Sequence, residues 1–223
     1  GLGVAGLTIP SLPIIAAPSV EGNKPFADGK LIRLSSNENP YGPSPLTKKA
    51  MSDHVQFSNR YGGDLTNTLI EALAAKHNLS AENILMGAGS TEILDIVARY
   101  AAFKGGSFVI PVPTFGFWAD MISKTGFKEI AIPLTADKKI DLPAMKAAVQ
   151  GDTKLVYICN PNNPTGTMCE RNELVDFVKE VAEKALVLVD EAYIDFTEQP
   201  SLSDLVAEHR NIIIAKTFSK IYG

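Results

Sequence analysis

Three uninterrupted apolar runs lie in the second half of the chain, and they restrict the fold more than any other feature of the sequence. They are KLVYIC (154–159), ALVLV (185–189) and NIIIAK (211–216). A strand that is apolar at every position is buried on both faces, which is typical of parallel sheets covered by helices on both sides. Two shorter runs, 107–110 and 129–134, predict further strands. The sequence therefore predicts an α/β fold with three α-β-α layers around a mainly parallel sheet.

Amphipathic segments separate the apolar runs and predict the helices that cover this sheet. Apolar residues recur in them at the three- and four-residue spacing of a helix face. Ser90 is expected to cap one helix, and Asp141 is expected to cap the next, with Pro143 in its first turn. The Pro- and Gly-rich stretch 37–45 predicts an irregular loop. The four predicted helices are 65–78, 90–103, 141–150 and 170–183.

The composition is that of an average globular protein and argues against two functional classes. The 223 residues include 21 basic and 25 acidic ones, so the net charge is −4 at pH 7. Nucleic acid is not expected as a partner, because phosphate backbones are bound by clustered positive charge. Cys159 and Cys169 do not have the spacing of a zinc site, and the three histidines are scattered. We therefore expect neither nucleic-acid binding nor a metal centre.

The first twenty residues, GLGVAGLTIPSLPIIAAPSV, form an uncharged segment that stands apart from the rest. Three interpretations are open for it: a membrane-spanning helix, a buried N-terminal arm, or the apolar and cleavage region of a twin-arginine export signal. Three prolines, at 10, 13 and 18, argue against a stable membrane span. The small residues Ala16 and Ala17 favour the export signal. We therefore expect an exported protein, with a cytoplasmic one as the alternative.

Polar residues follow the apolar strands, at the sheet edge where ligands bind in open α/β folds. Taken alone, each group is a common turn, cap, core aromatic or surface lysine. Together they bring amide, carboxyl, phenol, hydroxyl and amino groups to one edge, beside a Gly-rich helix start that suits an anion. The groups are 87–92, 113–118, 160–166, 190–193 and 217–220.

One chemistry needs all of these parts in this order, and it is that of pyridoxal phosphate (PLP). A lysine forms a Schiff base with the cofactor aldehyde. An aspartate pairs with the pyridinium nitrogen, so that the ring acts as an electron sink. An asparagine and a tyrosine bind the ring hydroxyl, an aromatic side chain stacks on the ring, and a helix start with hydroxyl groups holds the phosphate.

The motifs resemble those of the aspartate-aminotransferase superfamily of PLP enzymes (fold type I), and more narrowly those of histidinol-phosphate aminotransferases. The resemblance covers about residues 30–223. It rests on LSSNENPYGPSP in the 31–45 region, RYGGDL (60–65), GAGSTEIL (87–94), PVPTFGFW (111–118), NPNNPTGT (160–167), VDEAYIDF (189–196) and TFSKIYG (217–223).

This resemblance implies roles for the residues that meet the cofactor ring. Lys220 would be the Schiff-base lysine and the base that moves the substrate proton. Asp190 would pair with the pyridinium nitrogen, and Asn163 and Tyr193 would bind the ring oxygen. Phe115 would stack on the ring, at a position where histidinol-phosphate aminotransferases more usually have tyrosine, so the stacking is kept and a hydroxyl is lost.

The resemblance also implies phosphate-binding and substrate-binding residues. The phosphate would be held by a set of small and hydroxyl-bearing residues: Gly89, Ser90, Thr91, Thr217 and Ser219. Tyr61 would reach the phosphate of the neighbouring subunit's cofactor, which implies a homodimer. Asn37, Asn39 and Tyr41 would border the substrate pocket.

The function that the resemblance implies is transfer of an amino group between a donor, histidinol phosphate or a related amino compound, and a 2-oxo acid. Two alternatives stay open: a PLP-dependent decarboxylase of the threonine-phosphate type, and a non-catalytic aminotransferase-like binding protein. The expected domains are the segment 1–20, an arm with part of a small domain at 21–60, and an incomplete PLP-binding large domain at 61–223. We expect the chain to be a piece of a longer protein, because the family's phosphate- and carboxylate-binding arginines would follow Gly223.

Overall fold

The computed structural model describes residues 34–223. The chain divides into two compact units, 1–37 and 38–223, and the helices and strands given below all belong to the second. The export signal predicted for residues 1–20 lies outside the described residues, as does the start of the arm predicted for 21–60, and both stay predictions. In the part of the chain that is described, no helix has the length and apolar character needed to cross a membrane.

Five parallel strands form one sheet in the second unit, as the apolar runs predict. The strands are β1 (Ser107–Val112), β2 (Lys128–Pro133), β3 (Thr153–Cys159), β4 (Leu186–Asp190) and β5 (Ile212–Ala215). Their order is β2-β1-β3-β4-β5, and each neighbouring pair is parallel. Because β2 lies on one side of β1 and β3 on the other, the order reverses between β1 and β3. Such a reversal opens a crevice at the carboxyl ends of the two strands.

The described residues contain six α-helices, and four of them match the predicted helices to within two residues at either end. Asp141 is the predicted cap of α5, and its carboxylate accepts a hydrogen bond from the backbone N–H of Ala144 at 2.9 Å. The helices are α1 (Pro45–His54), α2 (Gly63–His77), α3 (Ser90–Phe103), α4 (Phe117–Ser123), α5 (Leu142–Ala148) and α6 (Arg171–Ala182).

Three details of the helices differ from the sequence prediction. Ser90 is the first residue of α3 and not its cap; the cap is Gly89, whose φ of 83° lies in the left-handed region that favours glycine. Neither α1 nor α4 was predicted. α1 has no buried face, and α4 is too short to show a helical period.

Helices cover both faces of the sheet, and each face has its own apolar core. On one face, α5 and α6 pack on the strands, with Leu174 of α6 in the same cluster as Val156 of β3. On the other face lie α3 and α4, where Leu94 and Trp118 share a cluster with Tyr157. Alternate residues of β3 thus belong to opposite cores, as expected for a strand buried on both sides. The predicted three-layer arrangement is confirmed.

Candidate active site

The carboxyl edge of the sheet collects the predicted ring-binding residues, because each follows or ends a parallel strand. Phe115 follows β1, Asn163 follows β3, Asp190 is the last residue of β4, and Lys220 follows β5. Parallel strands end at the same edge, so four separate loops meet there. The topology alone therefore places these residues on one side of the sheet.

Asn162 ties together the two loops that flank the crevice between β1 and β3. Its side chain is 2% exposed, and its amide donates to the carbonyl of Pro113 at 3.1 Å and to the Thr165 hydroxyl at 2.9 Å. The Thr114 hydroxyl donates to the Asn162 side-chain oxygen at 2.6 Å. A buried amide with all these partners fixes the backbone on both sides of the crevice. The loop that carries Phe115 is thereby held against the loop that carries Asn163.

Asp190 supplies a buried carboxylate at the centre of this edge, with only 2% of its surface exposed. The phenol of Tyr157 donates to its Oδ2 at 3.0 Å, and the backbone N–H of Ala192 donates to its Oδ1 at 3.0 Å. One donor on each oxygen stops the carboxylate from rotating. The position of both oxygens is therefore set before any ligand arrives.

Burial disfavours the charged form of Asp190, and its neighbours favour it. Burial raises the pKa of this carboxyl above its usual value, because a charged group loses its water there. The Ala192 N–H, the Tyr157 hydroxyl and the positive charge of Lys220 each act to lower the same pKa. A cationic partner at this carboxylate would replace the missing water and favour the charged form.

Tyr193 lies between the predicted ring-oxygen partner and the predicted lysine. The side-chain amide of Asn163 donates to the Tyr193 hydroxyl at 3.5 Å. The amino nitrogen of Lys220 lies 5.5 Å from the centre of the Tyr193 ring, within range of a cation–π interaction. Asn163, Tyr193 and Lys220 are thus neighbours, as the motifs predict.

The start of α3 has the form of an anion site. Gly89 caps the helix, and Ser90 and Thr91 are its first two residues, so unpaired backbone N–H groups and hydroxyls lie at a positive helix end. The Glu92 carboxylate accepts the N–H of Ala88 at 2.6 Å, which holds the loop just before the cap. In the loop after β5, the hydroxyls of Thr217 and Ser219 lie 2.9 Å apart. Both sets carry the donors that a phosphate needs.

Two of the remaining predicted residues have a definite place beside the lysine segment. Asn39 donates from its side-chain amide to the carbonyl of Ile221 at 3.0 Å, and its side-chain oxygen accepts the N–H of Tyr41 at 3.0 Å. Asn39 therefore connects the loop before α1 to the residue that follows Lys220. The side chain of Tyr41 is exposed.

Asn37 and Tyr61 are not placed in this site. Asn37 belongs to the first compact unit, so its place relative to the site stays a prediction. Tyr61 lies just before α2, and its side chain is fully exposed.

Two residues of the site were not predicted from the sequence. Asn162 lies inside the NPNNPTGT motif, but nothing in the motif distinguishes the buried asparagine from the one that faces the site. Tyr157 lies inside the apolar run of β3 and counts there as an ordinary buried residue. The only signal was a hydroxyl in a strand with no water, which needs a polar partner.

Replacing Asp190 by asparagine is expected to stabilise the cofactor-free protein at neutral and alkaline pH. The change removes a buried charge, and the Tyr157 hydroxyl can turn to accept from the new amide. Because the pKa of Asp190 is raised in the fold, the cost of its charge is present above that pKa and disappears as the pH falls through it. We expect a gain on the order of 1 kcal/mol at pH 8 and none in acid.

Thermal unfolding of both proteins, expressed from the complete reading frame, measures this difference across the pH range. Asp176→Asn is the matched control, since that side chain is exposed on α6. A lower melting temperature for the Asp190→Asn protein at pH 8 would show that the carboxylate stabilises the fold. That result would contradict the inference that its buried charge costs stability.

The same fold and motifs occur in proteins of known class. Residues 29–223 match the family of class I and II aminotransferases. A histidinol-phosphate aminotransferase of Moorella thermoacetica is 38% identical over 217 residues, which cover 90% of this chain and 56% of the relative. An aromatic amino acid aminotransferase of Thermobifida fusca is 37% identical over 199 residues, which cover 88% of this chain and 55% of the relative.

Solved structures agree with these relatives. A candidate histidinol-phosphate aminotransferase of Erwinia carotovora atroseptica superposes with a TM-score of 0.80 at 34% identity, covering 86% of this chain and 57% of the other. The histidinol-phosphate aminotransferase of Sinorhizobium meliloti in complex with pyridoxal-5'-phosphate gives a TM-score of 0.74 at 27% identity, covering 84% of this chain and 52% of the other. The chain thus spans little more than half the length of its relatives. It has the fold type I architecture, and it belongs to the family of class I and II aminotransferases.

Proposed function

We propose that the protein is a PLP-dependent aminotransferase that moves an amino group from an amino donor to a 2-oxo acid. The observation that carries this proposal is the environment of Asp190. A carboxylate is buried at the end of β4, both of its oxygens are held by donors, and the lysine that acts on its charge lies in the next loop. Because this carboxylate ends a central strand at the edge of the sheet where ligands bind, it is placed to pair with a pyridinium ring.

The residues present fit PLP in the chemistry of their donors and acceptors. Asp190 would accept the ring N–H, and Asn163 and Tyr193 would donate to the ring oxygen. Phe115, half-buried against the core of the α3 face, would cover one side of the ring. The first turn of α3 and the hydroxyls of Thr217 and Ser219 would hold the phosphate.

When bound, the cofactor supplies an electron sink for the charge left on the donor carbon, and the protein supplies the proton transfer. The amino nitrogen of Lys220 would accept the proton from the donor carbon and return it at the cofactor carbon. The centre of the Tyr193 ring lies 5.5 Å from that amino group, and the Tyr193 hydroxyl is itself contacted by the Asn163 amide. Asp190 would hold the proton on the ring nitrogen through its negative charge.

The names of the relatives support two chemical classes of donor. Histidinol-phosphate and aromatic amino acid aminotransferases are similar to this chain at nearly the same identity. Both kinds of donor carry a flat ring close to the amino-bearing carbon. We therefore propose a donor with an aromatic or imidazole ring.

A homodimer is proposed for the complete protein. In its support, α1 has no buried residue, although it carries Leu46 and Met51. The exposed apolar surface continues through Val55 and Phe57 to Tyr61. Surfaces of this kind mark contacts with another protein, and most homo-oligomers are twofold dimers. The second copy would place its Tyr61 at the phosphate of this chain's site.

The cofactor and its lysine are tested by trapping. Protein from the complete reading frame is incubated with PLP and reduced with borohydride, and the modified peptide is identified by mass spectrometry. We expect the label on Lys220, and its loss in Lys220→Arg. Lys216→Arg is the matched control, because that lysine lies four residues earlier and forms an ion pair with Asp195 at 3.2 Å that arginine can keep. Label scattered over surface lysines, or none, would contradict the proposal.

The reaction type is tested by a single turnover with each donor class. The loaded protein is mixed with histidinol phosphate or with phenylalanine and no acceptor. A transaminase is expected to change the absorption of its cofactor and to release one equivalent of the keto product. With phenylalanine, which carries a carboxyl group, carbon dioxide without a keto product would instead identify the decarboxylase alternative.

The shared site is tested by mixing two inactive variants. If each site takes Lys220 from one chain and Tyr61 from the other, Lys220→Ala and Tyr61→Ala proteins are expected to be weak alone. Unfolding and refolding them together forms hybrids with one intact site, so about a quarter of the wild-type activity returns. A mixture no more active than the separate variants would place both residues on the same chain.

A further inference from the structure

Tyr157 is a fully buried tyrosine in the apolar core. The ring of such a residue fills space, and its hydroxyl needs a polar partner. Tyr157 belongs to β3 and pairs in register with Leu188 of β4, two residues before Asp190 on the same face of the sheet. This diagonal offset lets its hydroxyl reach the Asp190 carboxylate at 3.0 Å. A phenylalanine at this position would fill nearly the same volume, so the hydroxyl is the informative part of the side chain.

The ring of Tyr157 is held in place by its aromatic neighbours. Trp118 of α4 contacts it edge to face, with ring centres 5.1 Å apart, and Phe108 of β1 contacts Trp118 at 5.4 Å. All three side chains are buried. A ring fixed in this way cannot swing its hydroxyl toward another partner.

The charges around Asp190 show what this hydroxyl does. The ionisable groups that interact with the carboxylate come from two elements: Tyr157 and Cys159 of β3, and Lys220 in the loop after β5. Burial raises the pKa of Cys159 to about 12 and that of Tyr157 well above its usual value, so both stay neutral. Lys220 is the group that must move during the proposed reaction. Tyr157 is thus the one fixed side-chain donor among them.

We propose that Tyr157 is a positioning residue that keeps Asp190 charged and oriented, and so keeps the proton on the ring nitrogen of the cofactor. This inference rests on the proposed function. Tyr157 is fully buried and would act through the Asp190 carboxylate that it contacts. When Lys220 leaves its resting place, the phenol and the Ala192 N–H still hold the carboxylate.

The first test uses the cofactor-free protein from the complete reading frame. Asp190 is titrated by carbon NMR of labelled aspartate, with its signal assigned by its absence in Asp190→Asn. Tyr157→Phe removes the hydroxyl and keeps the ring, so the midpoint of the Asp190 titration is expected to move upward. Tyr100→Phe is the matched control, because this exposed tyrosine of α3 loses the same atom outside the site. An unchanged midpoint in Tyr157→Phe would overturn the proposal.

The second test uses cofactor labelled with ¹⁵N at the ring nitrogen. In the wild type the chemical shift is expected to be that of a protonated ring. In Tyr157→Phe the proton shifts toward the carboxyl, and the ratio of protonated to neutral ring falls on the order of tenfold, as expected for a lost hydrogen bond to a charged group. A spectrum identical to that of the wild type would reduce Tyr157 to a core residue and overturn the proposal.

Site-specific 3-fluorotyrosine at position 157 gives the opposite change without emptying the core. Its more acidic hydroxyl is a stronger donor, so the Asp190 midpoint is expected to move downward. A movement in the same direction as in Tyr157→Phe would point to disturbed packing and would contradict the proposal. If the wild type itself binds no PLP, the proposed function fails, and the titration of the cofactor-free protein still decides whether Tyr157 governs the charge of Asp190.

Discussion

The burial of one negative charge is the constraint on which the rest of this site depends. A carboxylate at the end of a central parallel strand has lost its water, and only fixed donors can replace it. The protein provides these donors from its own rigid parts: a strand neighbour through Tyr157 and the following turn through Ala192. The aromatic neighbours of Tyr157 then become part of the site, because they fix the donor. A change in the packing of α4 against β1 would therefore reach Asp190 through two ring contacts.

The reversal of strand order between β1 and β3 decides where the other groups can lie. Loops that diverge at a crevice leave room for a ligand, but they no longer pack against each other. Asn162 restores that support with its three buried hydrogen bonds to the opposite loop and its own turn. The asparagine that does not face the site is thus as necessary to its shape as Asn163, which does.

The sequence predicts this fold well for the strands and helices that are buried against other parts of the same chain. The apolar runs give all five strands, and the amphipathic segments give α2, α3, α5 and α6. α1 was missed because none of its residues is buried in the described part of the chain, and α4 because seven residues are too few to show a helical period. The site residues were predicted from motifs, but Tyr157 was not, because it lies in an apolar strand and resembles an ordinary core residue there. A contact across strands depends on register, which no local pattern records.

Asp190 has a second buried carboxylate as its immediate neighbour, and the pair explains why the end of β4 is so firmly placed. The Glu191 side chain accepts from the Ser201 hydroxyl and from the N–H of Leu202, and Lys216 lies 3.9 Å away. Asp190 is instead bound by Tyr157 of β3. Consecutive residues of an extended chain point to opposite faces, so one carboxylate is held from each side of the sheet. Glu191 and Asp190 thus fix the end of β4 from both faces, through Ser201 and Leu202 on one and Tyr157 on the other.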